Sequence, residues 1–230
     1  MAKLFARNKK IENINLFDKK VYSQNGEDGI INIIFRKIGT TNKFCVEFGA
    51  GDGHECNTRY LIKKKKWKYL HMDTCHCSKT YTIIKHEFIT AENINNLFRK
   101  YKVPKKFDLL SIDVDFNDYW IWKAIKEEYK PRVVIIEYNA SIPPTQSKTV
   151  PYSPYRVWDG TRYYGASLLS LAKLGKTKGY TLVGCDKKGV NAFFVRSDLA
   201  EDNFTSKTVK ELYRPPKWGG NVKRYLSPKD

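Results

Sequence analysis

Phe44-Cys-Val-Glu-Phe-Gly-Ala-Gly-Asp-Gly53 is the stretch on which the reading of this chain turns. Phe44 to Phe48 reads as a short buried strand, and glycines at 49, 51 and 53 as a turn that brings backbone close to a ligand. About 20 residues further on, a spacing that matters for ribose recognition, Lys68-Tyr-Leu-His-Met-Asp73 ends a second strand on a carboxylate. Glycines after a strand, with an acid at the next strand's tip, suit a nucleoside whose ribose diol hydrogen-bonds to that acid. Glu47 sharpens the reading: an anion just before the first glycine disfavours a pyrophosphate and favours a cationic ligand.

Outward from this stretch the chain alternates apolar runs with amphipathic ones. The spacing predicts a helix over 25–37, where Ile30, Ile31, Ile34, Phe35 and Ile38 share a face, and a second over 55–66. Strands are expected over 83–89, 107–113 and 132–138, with helices over 92–101 and 118–127 between them. A long loop rich in Pro, Tyr and Ser runs to about residue 160, before a helix over 166–174. A closing hairpin pairs 180–184 with 191–196. Near-continuous apolar strands separated by helices imply a mostly parallel sheet covered on both faces, a three-layer α/β/α fold. The domain is expected over 21–200, with lysine-rich extensions at 1–20 and 201–230.

The net charge is +18, but it comes from 32 Lys against only 10 Arg, scattered through every segment. Readers of nucleic acid concentrate Arg, whose fork matches phosphates and guanine edges, so no specific nucleic-acid partner is expected. A hydrophobic share of 41% with 14% aromatic is that of a folded chain. No apolar run reaches membrane-spanning length and the first ten residues lack an apolar signal region, so the expected setting is cytoplasmic. Five cysteines, an odd number without a framework, are expected as free thiols. Cys75-His76-Cys77 lacks a second ligand pair at zinc spacing. Neither a nucleophile elbow nor a phosphate-binding Walker loop is present.

Chemistry is expected beyond the carboxyl ends of the strands. Glu47, Gly49, Gly51 and Asp73 supply the first two tips, and Glu92 with Asn93 follow the third and either line an adenine pocket or simply open a helix. The fourth tip, Ser111-Ile-Asp-Val-Asp-Phe-Asn-Asp-Tyr-Trp120, carries Asp113, Asp115 and Asp118. The fifth adds Glu137 and Asn139. Asp113, Glu137 and Asn139 form an oxygen-rich set suited to a hard cation such as Mg²⁺, or alternatively to sugar hydroxyls. Upstream, Ser23, Gln24 and Glu27 are placed either to cap the first helix or to contact a cofactor. The aromatic loop Tyr152–Tyr164 offers Arg156, Trp158, Asp159 and Tyr164 to an acceptor, aromatic faces suiting sugar rings.

Taken jointly, Tyr22-Ser-Gln-Asn-Gly-Glu-Asp-Gly29, Val46-Glu-Phe-Gly-Ala-Gly-Asp-Gly53, Asp108-Leu-Leu-Ser-Ile-Asp-Val-Asp115, Asn117-Asp-Tyr-Trp120, Ile135-Ile-Glu-Tyr-Asn139 and Tyr164-Gly-Ala-Ser-Leu168 resemble the class I S-adenosylmethionine-dependent methyltransferases, among them sugar O-methyltransferases. The resemblance covers about residues 20–198. It implies a Rossmann-like seven-stranded sheet, S-adenosylmethionine as cofactor (Asp113 included among its contacts) and a sugar, nucleotide-sugar or glycan acceptor. By similarity to metal-dependent O-methyltransferases it also implies Mg²⁺ or Mn²⁺ on Asp113, with Glu137 and Asn139 as the second ligand pair. Those enzymes often carry Lys or His three residues past the first aspartate, where this chain has Phe116, so Asp115 and Asp118 stand as candidate bases. The alternatives are an RNA methyltransferase and a nucleoside- or glycan-binding module without turnover.

Overall fold

The computed structural model describes residues 9–74 and 80–217. Its elements run α1 (Glu27–Ile38), β1 (Phe44–Phe48), α2 (Arg59–Lys65), β2 (Lys68–Asp73), β3 (Ile84–His86), α3 (Ile94–Lys100), β4 (Lys106–Ile112), α4 (Asp118–Ala124), β5 (Lys130–Glu137), α5 (Leu168–Thr177), β6 (Tyr180–Cys185) and β7 (Asn191–Arg196), then the short α6 (Ser197–Ala200) and α7 (Val209–Leu212). One seven-stranded sheet has the order β3-β2-β1-β4-β5-β7-β6. β7 alone is antiparallel to its neighbours β5 and β6. This is the Rossmann-like sheet with a terminal antiparallel hairpin that the sequence pattern implies.

Alternation along each central strand splits the core in two. Val134 and Ile136 of β5, Phe194 of β7 and Phe107, Leu110 and Ile112 of β4 face α3, α4 and α5. Val133 and Ile135, Phe193 and Val195, and Leu109 face the side covered by Ile30, Ile31 and Ile34 of α1. Strands buried on both faces have no polar alternation, which is why they read as apolar runs. Each such side chain contributes roughly 1.5–3 kcal/mol by leaving water.

The described parts of both expected extensions pack on the domain. Ile14 is buried in the second core, the Asn15 side-chain amide donates to the Cys185 carbonyl (2.8 Å), and Ile11 pairs with Phe204. Two isoleucines in a lysine-rich stretch are too sparse for a periodic signal. Among the described residues, Cys45, Cys56 and Cys185 are free, as expected; Cys75, His76 and Cys77 lie outside the described residues. No helix among the described residues is long and apolar enough to cross a membrane.

The order reverses direction between β1 and β4, so the turns after these strands part around a crevice. Gly49 closes its floor: its φ is +67°, and a Cβ there would lie 1.5 Å from the Asp113 carbonyl oxygen. Gly51, at φ +54°, would meet nothing within 4 Å. Gly49→Ala is therefore expected to destabilise by about 3 kcal/mol or more, combining backbone strain with a clash. Gly51→Ala should lose only about 1–2 kcal/mol, the left-handed penalty alone. Urea unfolding of the two variants checks this; equal losses would mean that β1 and β4 are not in the contact described.

Candidate cofactor and acceptor site

Most buried carboxylates of this chain are met by backbone amides. Asp28 accepts from the amides of Val21, Tyr22 and Ser23 at 2.7–2.8 Å. Asp108 accepts from Thr41, Asn42 and Lys43, and Asp186 from Lys188, Val190 and Asn191. Glu47 takes the amides of Asn57 (2.8 Å) and Thr58 (3.0 Å) and the Thr58 hydroxyl (2.5 Å). That same hydroxyl lies 2.7 Å from His71 Nε2, whose ring is held neutral by burial, with a pKa near 3. Glu47 therefore ties the end of β1 to the start of α2, and burial still pushes its carboxyl up. It is not among the residues that line the cleft.

Asp113 and Glu137, half-buried, and Asp115, exposed, differ: among the described residues no hydrogen bond reaches any of their carboxylates. Burial, then the charges of Asp118 and Asp115, raise Asp113 well above the carboxylate range. Burial, then Asp113 and Asp118, do the same to Glu137. Asp115 is raised by desolvation and by Asp73, and its backbone is left-handed (φ +66°), unusual for a residue with a side chain.

These three groups open on two adjoining cavities. The first, beyond β1, β2 and β4, is lined by Gly49, Asp73, Glu87, Phe88, Ile89, Asp113, Asp115 and Arg156, among others. Asp73 accepts from the Gly51 amide at 2.8 Å, so the turn and the second tip are locked together. Glu87 is paired with Lys100 and Tyr101. The second cavity, of about 220 Å³, is lined by Gln24, Asn25, Asp115, Glu137, Trp158, Tyr164 and Val190. Asp115 belongs to both.

Several expected site residues have other work. Ser23 is fully buried, its hydroxyl bonded to Asp28, and Glu27 accepts from the Asn25 amide (2.7 Å) and Asn191 Nδ2 (3.0 Å). Both brace the start of α1, while Gln24 reaches the second cavity. Glu92 accepts from the Tyr152 hydroxyl, and Asn93 bonds the Thr90 amide and Phe88 carbonyl. They fasten the 88–93 turn rather than line the cleft. β3 ends at His86, sooner than the sequence suggests, so Glu87, Phe88 and Ile89 take the lining positions. Phe88 stacks on Tyr155 at 6.0 Å, and Arg156 covers Phe116 at 4.9 Å, closing the loop over the cleft. Asp159 holds Thr161 and pairs with Arg156, inside the loop. Trp158 and Tyr164 face the second cavity.

The expected metal set does not fit. The Asn139 amide oxygen accepts from Ser141 N (3.0 Å), and its nitrogen donates to the carbonyls of Arg162 (2.7 Å) and Tyr164 (2.9 Å). This is a loop brace, not a ligand. Among the described residues the one trio of acid, Cys and His ligand atoms within 4.8 Å of one another is Glu47, Cys56 and His71, which the hydrogen bonds above already close. Asp118, expected as a base, is 1% exposed; one oxygen accepts from Val114 N at 2.8 Å and the other has no partner. It clamps the turn that carries Asp115.

No family model matches the chain, and no curated protein matches its sequence. Among solved structures it is similar to the magnesium protoporphyrin IX methyltransferase of Synechocystis PCC 6803, at 10% identity over 74% of this chain and 78% of that one, with a TM-score of 0.42. An S-adenosylmethionine-dependent methyltransferase of Clostridium acetobutylicum ATCC 824 gives 13%, 75%, 92% and 0.39. A protein assigned as a ribosomal RNA methyltransferase from Plasmodium falciparum gives 16%, 81%, 100% and 0.40. At such identities and scores the likeness is one of chain path and says nothing of acceptor or chemistry.

Burial pushes the Asp118 pKa up to about 7 from its ordinary 3.8. The folded chain thus takes up a proton between those values, and stability that is complete below about pH 4 is lost as pH rises toward 7. Asp118→Asn keeps the acceptor for Val114 and removes the buried charge. It should unfold at higher urea than the parent at pH 8, by about 1–3 kcal/mol, with the gain shrinking toward pH 4. A gain independent of pH would place the Asp118 carboxylate in a wetter setting than described.

Proposed function

We propose that this chain is an S-adenosylmethionine-dependent O-methyltransferase acting on a sugar hydroxyl, and that it works without a metal on Asp113, Glu137 and Asn139. The observation that carries the reading is the set of carboxylates left without donors at the β4 and β5 tips, beside a nucleoside-type cleft. A sulfonium and an ammonium are the charges that such a wall lacks. Asp73, held by the Gly51 amide, suits a ribose diol, and Phe88, Ile89 and Val157 suit a base. Arg156 is the one basic residue of that lining, so a pyrophosphate has little to bind.

S-adenosylmethionine supplies a methyl group whose bond to sulfur breaks as the bond to the acceptor oxygen forms, leaving S-adenosylhomocysteine. The protein's part is alignment and proton removal. Asp115 stands at the junction of the two cavities, and its raised pKa makes it a better base than an ordinary aspartate. Asp118 and the turn it clamps fix the Asp115 backbone, so the base is presented by a strained but anchored residue.

Titration calorimetry should show binding of S-adenosylmethionine that Asp73→Ala weakens by about 1–3 kcal/mol, the scale of one unpaired buried group. Because a cation favours ionised carboxylates and the pKa values of Asp113, Asp115 and Glu137 are raised, binding should release protons and tighten as pH rises through their raised range. S-adenosylhomocysteine, without the sulfonium, should show a smaller pH dependence. Absence of binding at millimolar cofactor would end the proposal.

Asp115→Asn should lower kcat at saturating cofactor by about 10²–10⁴-fold, the usual worth of a general base. Chelation should leave the rate of the parent intact. An Asp115→Asn enzyme with an unchanged pH–rate profile would move the base elsewhere.

A further inference from the structure

The second cavity has an unusual lining for a chain of charge +18: two carboxylates, two side-chain amides, an indole and a phenol, and no Lys or Arg. Trp158 is 47% exposed while its indole N–H donates to the Thr161 carbonyl at 2.6 Å, so the ring is fixed and a face is left to solvent. Tyr164 is anchored from behind, its carbonyl accepting from Asn139 Nδ2. Glu137 and Asp115 bring carboxylates that no hydrogen bond among the described residues reaches, and Gln24 and Asn25 add amides from the start of α1. A fixed aromatic face beside several planar acceptors and donors is the chemistry that recognises a ring with an apolar face and a rim of hydroxyls. About 220 Å³ is below the roughly 300–1,000 Å³ of drug-sized pockets and has room for one sugar ring.

We infer that this cavity is the acceptor subsite, and that it selects one uncharged sugar ring and rejects sugar phosphates, nucleotide-sugars and nucleic acid, with Asp115 and Glu137 setting the charge selection and Trp158 supplying the stacking face. The inference rests on the methyltransferase reading and narrows its substrate class. A phosphate placed here would face Asp115 and Glu137 with no cation in the lining to meet it, and like-charge juxtaposition discriminates strongly between partners. Neither Asp159 nor Arg156 lines this cavity, and they pair with each other on the exposed loop. The surface lysines lie outside the cavity's lining.

The test uses the full chain saturated with S-adenosylhomocysteine, titrated with methyl glycosides of common hexoses and deoxyhexoses, the matching sugar 1-phosphates, a uridine diphosphate sugar and a single-stranded RNA oligonucleotide, at physiological salt. At least one neutral glycoside should bind, and its phosphorylated counterpart should bind about 100-fold more weakly or not at all. Glu137→Gln should narrow that ratio by about tenfold. Trp158→Ala should lose the neutral ligand, and Trp158→Phe should restore most of it, which a merely structural role would not predict. Phosphorylated sugar or RNA bound as tightly as the neutral glycoside overturns the inference, as does failure of every neutral glycoside to bind. S-adenosylmethionine is titrated in the same samples. Cofactor binding without sugar discrimination defeats this inference alone, whereas no cofactor binding defeats the methyltransferase reading beneath it.

Discussion

A carboxylate at the end of a buried strand must find donors or a cation, and the structure of this chain follows from how that requirement is met at each tip. An unpaired buried ion loses several kcal/mol of hydration, so position after position the fold bends backbone toward an acid: the 21–23 turn around Asp28, the 41–43 turn beneath Asp108, the β6–β7 turn around Asp186 and the start of α2 around Glu47. Each of these acids organises a loop. Asp113, Asp115 and Glu137 organise none; they sit half-buried or exposed where β4 and β5 deliver them, and desolvation with the charge of neighbouring acids raises their pKa values.

The sheet order explains why these groups meet. Connections leave β1 toward β2 and β3 on one side and β4 toward β5 on the other, so the first and fourth tips flank the crevice directly. Gly49 lets the first turn press against the Asp113 carbonyl, and Asp118 pins Val114 from the start of α4. Both contacts fall on the peptide unit that joins Asp113 to Val114, and Asp115 is the next residue. Asp115 is left-handed, and its carboxylate lies in the wall of both cavities.

The architecture was legible because strands buried on both faces announce themselves as apolar runs, and the glycine turn with Asp73 marks the crevice by composition alone. The roles of single polar residues were not. Glu47 is satisfied by residues ten and eleven positions downstream, Asn139 by carbonyls more than twenty away, and Ser23 by an acid five on. No periodicity encodes such pairings, so an acid that braces a loop and an acid that faces a ligand look the same in one dimension. Tyr152 and Glu92 show the same limit: the lid and the third tip are joined by a bond spanning sixty residues. The hint available was the density of acids over 113–118, which exceeds the local supply of amides.

Charge on this protein acts on two length scales. The lysines are spread over the surface, and at physiological ionic strength their field fades within about 8 Å. Inside the cavities, low dielectric makes a neighbour at a few ångströms count several times more than in water. Asp113, Asp115 and Glu137 make the local field at the strand tips negative, whatever the sign of the whole chain. A net charge of +18 draws anions to the surface in general, yet the cavity lining has Arg156 as its one basic group and that guanidinium is already shared with Asp159 and the faces of Phe116 and Tyr163. The chain is thus basic in sum and acidic at the tips of β4 and β5.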